Sequence, residues 1–106
     1  MKPDSDPQKL TISQFQKHIH DRYYETDKAR GTAPTFMWLI EEIGELATAL
    51  QKSQGQGGTT SGSDDPASEM ADVIAWLTTL ANIHNIDLAQ ALHDKYFKDG
   101  GPDGTK

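Results

Sequence analysis

Two short acidic motifs are the parts of this 106-residue chain whose residue types and spacing can do chemistry. The first is Glu41-Glu42-Ile43-Gly44-Glu45 and the second is Glu69-Met70-Ala71-Asp72; together they hold four of the chain's five glutamates. At roughly 100° per residue, Glu41, Glu42 and Glu45 fall within about 100° of arc on one helix, and Glu69 and Asp72 lie one turn apart on another. Each group borders an apolar stripe. Side chains three or four residues apart sit ~5–6 Å from one another at Cβ, so their oxygens can share an ion. Hard cations such as Mg²⁺ take oxygen ligands at about 2.0–2.1 Å and keep waters that a substrate can replace. Two antiparallel helices, each with such a group beside the seam, can hold one or more Mg²⁺ ions, with Mn²⁺ the next fit.

A solvated helix face is the plainer account of any single Glu-Glu-x-x-Glu, and a helix N-terminus would favour an anion at Glu69. The second account does not reach Glu41, Glu42 and Glu45, which lie beyond the first turn. Apart from Lys52, neither group has a lysine four residues on to neutralise it. Like charges on a helix cost roughly 0.2–0.5 kcal/mol per pair, and nothing structural in the sequence offsets that cost. The two groups together point to a divalent metal.

Three further side chains belong with the acids. Trp38 falls between Glu45 and Glu42 in helical angle, and Trp76 falls between Glu69 and Asp72, so both indoles are expected to face the metal site rather than the centre of their own apolar stripes. A flat aromatic beside a phosphate-binding metal is what stacking on a nucleobase requires. Packing at a subunit interface or against the first helix is the competing reading. Lys95, amid Leu88, Ala91 and Leu92, is expected to turn its ammonium toward the bundle, where it either snorkels or meets a phosphate.

The elements that must position these residues are helices. Residues 1–9 are polar, carry two prolines and read as a mobile tail. A first helix begins near Leu10 with Thr11 or Ser13 as N-cap and Ile12, Phe15, Ile19 and Tyr23 at helical spacing, and Arg30-Gly31 ends it. A second starts near Thr32 or Thr35 and runs to about Lys52, with the stripe Phe36, Leu39, Ile40, Ile43, Leu46, Ala47 and Leu50. Residues 53–65 read as a flexible low-complexity loop. Asp64 or Asp65, before Pro66, opens a third helix with the stripe Met70, Val73, Ile74, Leu77, Leu80 and Ala81. Asp87 with Gln90 resembles a capping pair opening a fourth helix through about Lys98, and residues 99–106 form a second polar tail. No strand pattern competes. The expected fold is all-α: a small antiparallel four-helix bundle spanning residues 10–98.

Composition narrows the functions available. A net charge of −6 with two arginines leaves no basic stripe for a nucleic-acid polymer, so a polyanionic ligand needs a cation from outside. The hydrophobic share, 35%, is low for a free-standing globule, and a partner subunit is expected to complete the burial. There is no cysteine, which excludes disulfides and thiolate metal sites. The first residues lack the apolar stretch of a signal peptide and no segment approaches spanning length, so no membrane association and a cytoplasmic location are expected.

The paired motifs resemble the Glu-Glu-x-x-Glu…Glu-x-x-Asp signature of MazG-like nucleotide pyrophosphohydrolases, of the all-α NTP pyrophosphatase superfamily. The similarity extends through Phe36-Met37-Trp38-Leu39, Leu46-Ala47, Asp72-Val73-Ile74, Asn85-Ile86-Asp87-Leu88 and Lys95-Tyr96, covering roughly residues 10–98. It implies a Mg²⁺-dependent hydrolase that converts a (deoxy)nucleoside triphosphate to the monophosphate and pyrophosphate, with water attacking the α-phosphorus. Glu42, Glu45, Glu69 and Asp72 match the family's metal ligands, and Glu41 matches an extra acid that binds a further ion or orients the water. Trp38, Trp76 and Lys95 are then the expected substrate-binding residues. Such bundles are generally dimers or higher oligomers with sites near subunit contacts, so a homodimer or homotetramer is expected. A dUTP-directed or phosphoribosyl-ATP-directed enzyme is the narrower alternative. A non-catalytic helical interaction protein is the alternative of another class, and the presence of all five motif acids argues against it. A carboxylate-bridged di-iron bundle is disfavoured because its Glu-x-x-His pairs are absent.

Overall fold

The protein is described from a computed structural model, which covers residues 6–56 and 65–102. Four α-helices follow in order, α1 (Ile12–Arg30), α2 (Thr32–Gln51), α3 (Pro66–Ile83) and α4 (Leu88–Tyr96), with no strand among the described residues. α3 is the centre of the arrangement. It packs most extensively on α2 and then on α1, while α4 lies against α1.

Local chemistry sets the helix ends. Thr11 closes a capping box: its hydroxyl accepts from Gln14 N at 3.0 Å, and its own N–H donates to Gln14 Oε1 at 2.8 Å. One residue, Gly31, ends α1 and begins α2. Its φ of 86° and ψ of 178° lie in a region essentially reserved for glycine. Asp65 caps α3 ahead of Pro66, as the sequence suggests. Asp87 accepts from Gln90 N at 3.1 Å to start α4, but the Gln90 amide does not return the bond: it donates to Asp94 Oδ1 at 2.9 Å. α4 stops at Tyr96, two residues short of the expected Lys98, because the N–H groups of both Phe97 and Lys98 converge on the His93 carbonyl. Two expected coils are partly ordered. Pro7–Lys9 forms a 3-10 turn capped by Asp6, and Lys52–Gln56 continues α2 as a π-type turn. The remainder of the 53–65 segment, up to residue 64, and the outer parts of both tails lie outside the described residues.

The apolar stripes divide in a way the sequence pattern does not anticipate. Among the described residues the buried hydrophobic ones are Ile19, Leu39, Ala49 and Ala81. Thr35 and Thr78 are also fully buried, each turning its hydroxyl back to a carbonyl one turn earlier. Phe36, Ile40, Ile43 and Leu50 of α2, with Met70, Ile74 and Leu77 of α3, are exposed in the single chain. The α2–α3 seam is therefore lined by the other side of α2, where Thr35, Leu39, Glu42, Leu46 and Ala49 follow at helical spacing. Some of the acids thus sit in the seam, not beside it.

Candidate metal centre

The packing of α2 on α3 brings Glu42 of the first motif against Glu69 and Asp72 of the second. One carboxylate oxygen from each lies within 4.8 Å of the others. Glu69 is buried, Glu42 half-buried and Asp72 exposed, so the group runs from the seam out to solvent. Glu42 Oε2 is buried and accepts no hydrogen bond. Burial holds the Glu42 carboxyl above its ordinary range, and the negative charges of Glu45, Asp72, Glu69 and Glu41 push it further. A buried carboxylate among like charges is unfavourable unless a proton or a cation meets it. An all-oxygen donor set suits a hard divalent ion and excludes the soft, thiolate-bound metals. The residues present fit the metal that the sequence implies.

The other two motif acids stand differently. Glu41 and Glu45 are exposed and contribute no oxygen to that close group, although the charge of each reaches Glu42. Helical angle accounts for Glu41, which points about 100° away from its neighbour.

The indoles meet each other one turn along the same seam. Trp38 precedes Glu42 by four residues and Trp76 follows Asp72 by four, and the ring centroids are 5.3 Å apart at an interplanar angle of 43°. Trp38 remains 52% exposed. Lys95 departs from the sequence expectation. It is exposed on α4, a helix with no buried residue, and its Nζ lies 6.0 Å from the Tyr96 ring centroid. α4 packs on α1, so it offers no interior for the ammonium to enter.

Sequence reasoning passed over a polar group at the aromatic end of the seam. Asp27, 4% exposed, accepts from Arg30 Nη2 at 2.6 Å and from Thr79 Oγ1 at 3.1 Å. Arg30 also donates to Thr35 Oγ1 at 3.4 Å, and its guanidinium carbon lies 5.0 Å from the Trp76 centroid. The available signal was an acid and an arginine three residues apart on the last turn before a helix-ending glycine, but such a pair reads equally as a solvated face.

Nearer the start of α1, Gln16 ties that helix to the α3–α4 corner, donating to Asn82 Oδ1 and the Ile86 carbonyl and accepting from Leu88 N. The shallow groove there is lined by Gln16, Lys17, His20, Asn82 and Asp87, with none of the motif acids. Among the described residues no helix is long and apolar enough to cross a membrane.

The MazG nucleotide pyrophosphohydrolase domain family matches residues 31–98, a span that includes both acidic motifs. Among solved structures, iMazG from Vibrio DAT 722 superposes with a TM-score of 0.57 at 30% sequence identity, covering 77% of this chain and 89% of that one. No curated protein matches the sequence.

Proposed function

The chain belongs to the MazG nucleotide pyrophosphohydrolase family, and from that premise we propose that it hydrolyses a (deoxy)nucleoside triphosphate to the monophosphate and pyrophosphate at the α2–α3 seam, with Mg²⁺ as its metal. The observation that carries this reading is the convergence of Glu42, Glu69 and Asp72 around a buried Glu42 oxygen that accepts no hydrogen bond.

Glu42, Glu69 and Asp72, joined by Glu45, would hold the metal. When bound, it would offset charge on the phosphates and lower the pKa of a coordinated water. Glu41, exposed next to the group, orients the attacking water. A bond forms between the water oxygen and the α-phosphorus as the bond to the bridging oxygen breaks. Pyrophosphate leaves, and the water's proton passes by way of Glu41 to solvent. Trp38 and Trp76 supply the flat surface for the base. Lys95, exposed on α4, is assigned to the departing pyrophosphate in the assembled oligomer. The exposure of Phe36, Ile40 and Ile43 on α2 and of Met70, Ile74 and Leu77 on α3 supports self-association, which would take these large apolar side chains out of water.

The test is to incubate purified protein with Mg²⁺ and a panel of standard and modified nucleotides, reading out monophosphate and pyrophosphate. Equimolar monophosphate and pyrophosphate, lost on chelation and in Asp72→Asn, support the proposal. Release of orthophosphate, or turnover indifferent to chelator, contradicts it.

A further inference from the structure

We infer that Asp27 and Arg30 form a clamp that fixes the Trp76 indole, making Arg30 a positioning residue for base recognition; the inference rests on the reading above, in which the tryptophan pair receives the base. The geometry connects three helices. Asp27 on α1 receives a hydrogen bond from Thr79 on α3, and Arg30 donates both to Asp27 and to Thr35 on α2. The same guanidinium sits 5.0 Å from the centroid of Trp76, whose ring meets Trp38 at 5.3 Å.

Stability alone does not explain the arrangement. Asp27 is 6% and Arg30 23% exposed at the side chain, and a largely buried ion pair of this kind is commonly no more stabilising than apolar side chains of similar volume. What the pair supplies, and an apolar pair would not, is a planar cation held against an aromatic face. Its orientation is fixed by two hydrogen bonds on its nitrogens. An indole held on one side by so anchored a group loses little freedom when a base stacks on the pair, and affinity improves because less ordering remains to be done on binding. Arg30 bonds to Asp27 and Thr35 and lies over the Trp76 ring, so its influence on the base runs through Trp76.

The chain has only two tryptophans, which gives the clamp its own spectroscopic signature. Two indoles this close and tilted should produce an exciton couplet in circular dichroism that reports their mutual geometry without any substrate. The experiment compares the native chain with Arg30→Met, Arg30→Lys, Trp76→Ala and the double variant Asp27→Asn/Arg30→Met. The double variant removes both charges and so avoids leaving Asp27 buried without its cation. The readouts are the couplet, and KM and kcat for the best nucleotide found with Mg²⁺. The expected result is a weakened couplet in both Arg30→Met variants, with KM raised roughly three- to tenfold and kcat within about twofold of native. Arg30→Lys, which keeps the charge but not the plane, should fall between. An unchanged couplet in the double variant overturns the clamp. A lost couplet with native KM there, while Trp76→Ala raises KM, overturns the positioning role alone. Native KM in Trp76→Ala overturns the base-stacking reading and the inference with it.

Discussion

Glu42 has two ways to relieve the burial of its Oε2 among neighbouring acids: take up a proton or meet a cation. In metal-free protein only the proton is available. Because its folded pKa is raised by burial and by Glu45, Asp72, Glu69 and Glu41, its contribution to stability is fully present below the ordinary glutamate pKa. That contribution is lost as pH rises through the folded value. Metal-free protein should therefore melt at a lower temperature at neutral pH than just above the ordinary carboxylate range, by an amount that Glu42→Gln reduces. Melting curves across pH with chelator present check this, and an equal pH dependence in Glu42→Gln would contradict it. Adding Mg²⁺ at neutral pH should raise the native melting temperature by mass action. Asp72→Asn should weaken Mn²⁺ binding in calorimetry by about tenfold, or ~1.4 kcal/mol, whereas Glu41→Gln should leave it near native. The acids were legible in the sequence because three- and four-residue spacing within a helix is fixed by the helix itself. Which of them converge was not, since exposing Glu41 and Glu45 while gathering Glu42, Glu69 and Asp72 depends on how α2 turns toward α3. Lys95 shows the same limit: its apolar neighbours on α4 suggested an interior that the packing of α4 on α1 does not provide.

Among the elements, the helix ends were the most readable feature, because capping is decided by a few adjacent residues. Thr11, Gly31, Asp65 and Asp87 stand where their chemistry places them. The stripes were less readable. α2 carries apolar residues over more than half its circumference, and periodicity alone does not distinguish the seam of Leu39, Leu46 and Ala49 from the outward row of Phe36, Ile40, Ile43 and Leu50. The corner at Gly31 matters most to the site, as it sets α2 directly after Arg30. A Cβ added there meets nothing within 4 Å, so strain and not collision governs the substitution. Gly31→Ala should cost about 1–3 kcal/mol, read as a lower urea midpoint with unchanged slope. A midpoint equal to native would show that the corner relaxes without penalty.

On the scale of the whole molecule, the single chain leaves much of its apolar surface uncovered. Four buried hydrophobic side chains among the described residues make a thin core, and large apolar side chains stand exposed on both α2 and α3, where a second copy would cover them. The native chain is expected to sediment as a dimer or tetramer. Ile40→Lys/Ile74→Lys should shift it to monomer and lower its melting temperature; sedimentation as a monomer by the native chain would contradict that assignment. The low hydrophobic content raised this expectation from the sequence, but which side chains lie outward emerged only once the seam was known. Whether the acids of the α2–α3 seam direct water to the α-phosphorus of a nucleotide is decided by turnover in heavy-oxygen water with Mg²⁺, followed by mass spectrometry of both products. One heavy oxygen is expected in the monophosphate and none in the pyrophosphate, with turnover abolished in Asp72→Asn. Label in the pyrophosphate, or labelled product from Asp72→Asn at the native rate, would contradict it.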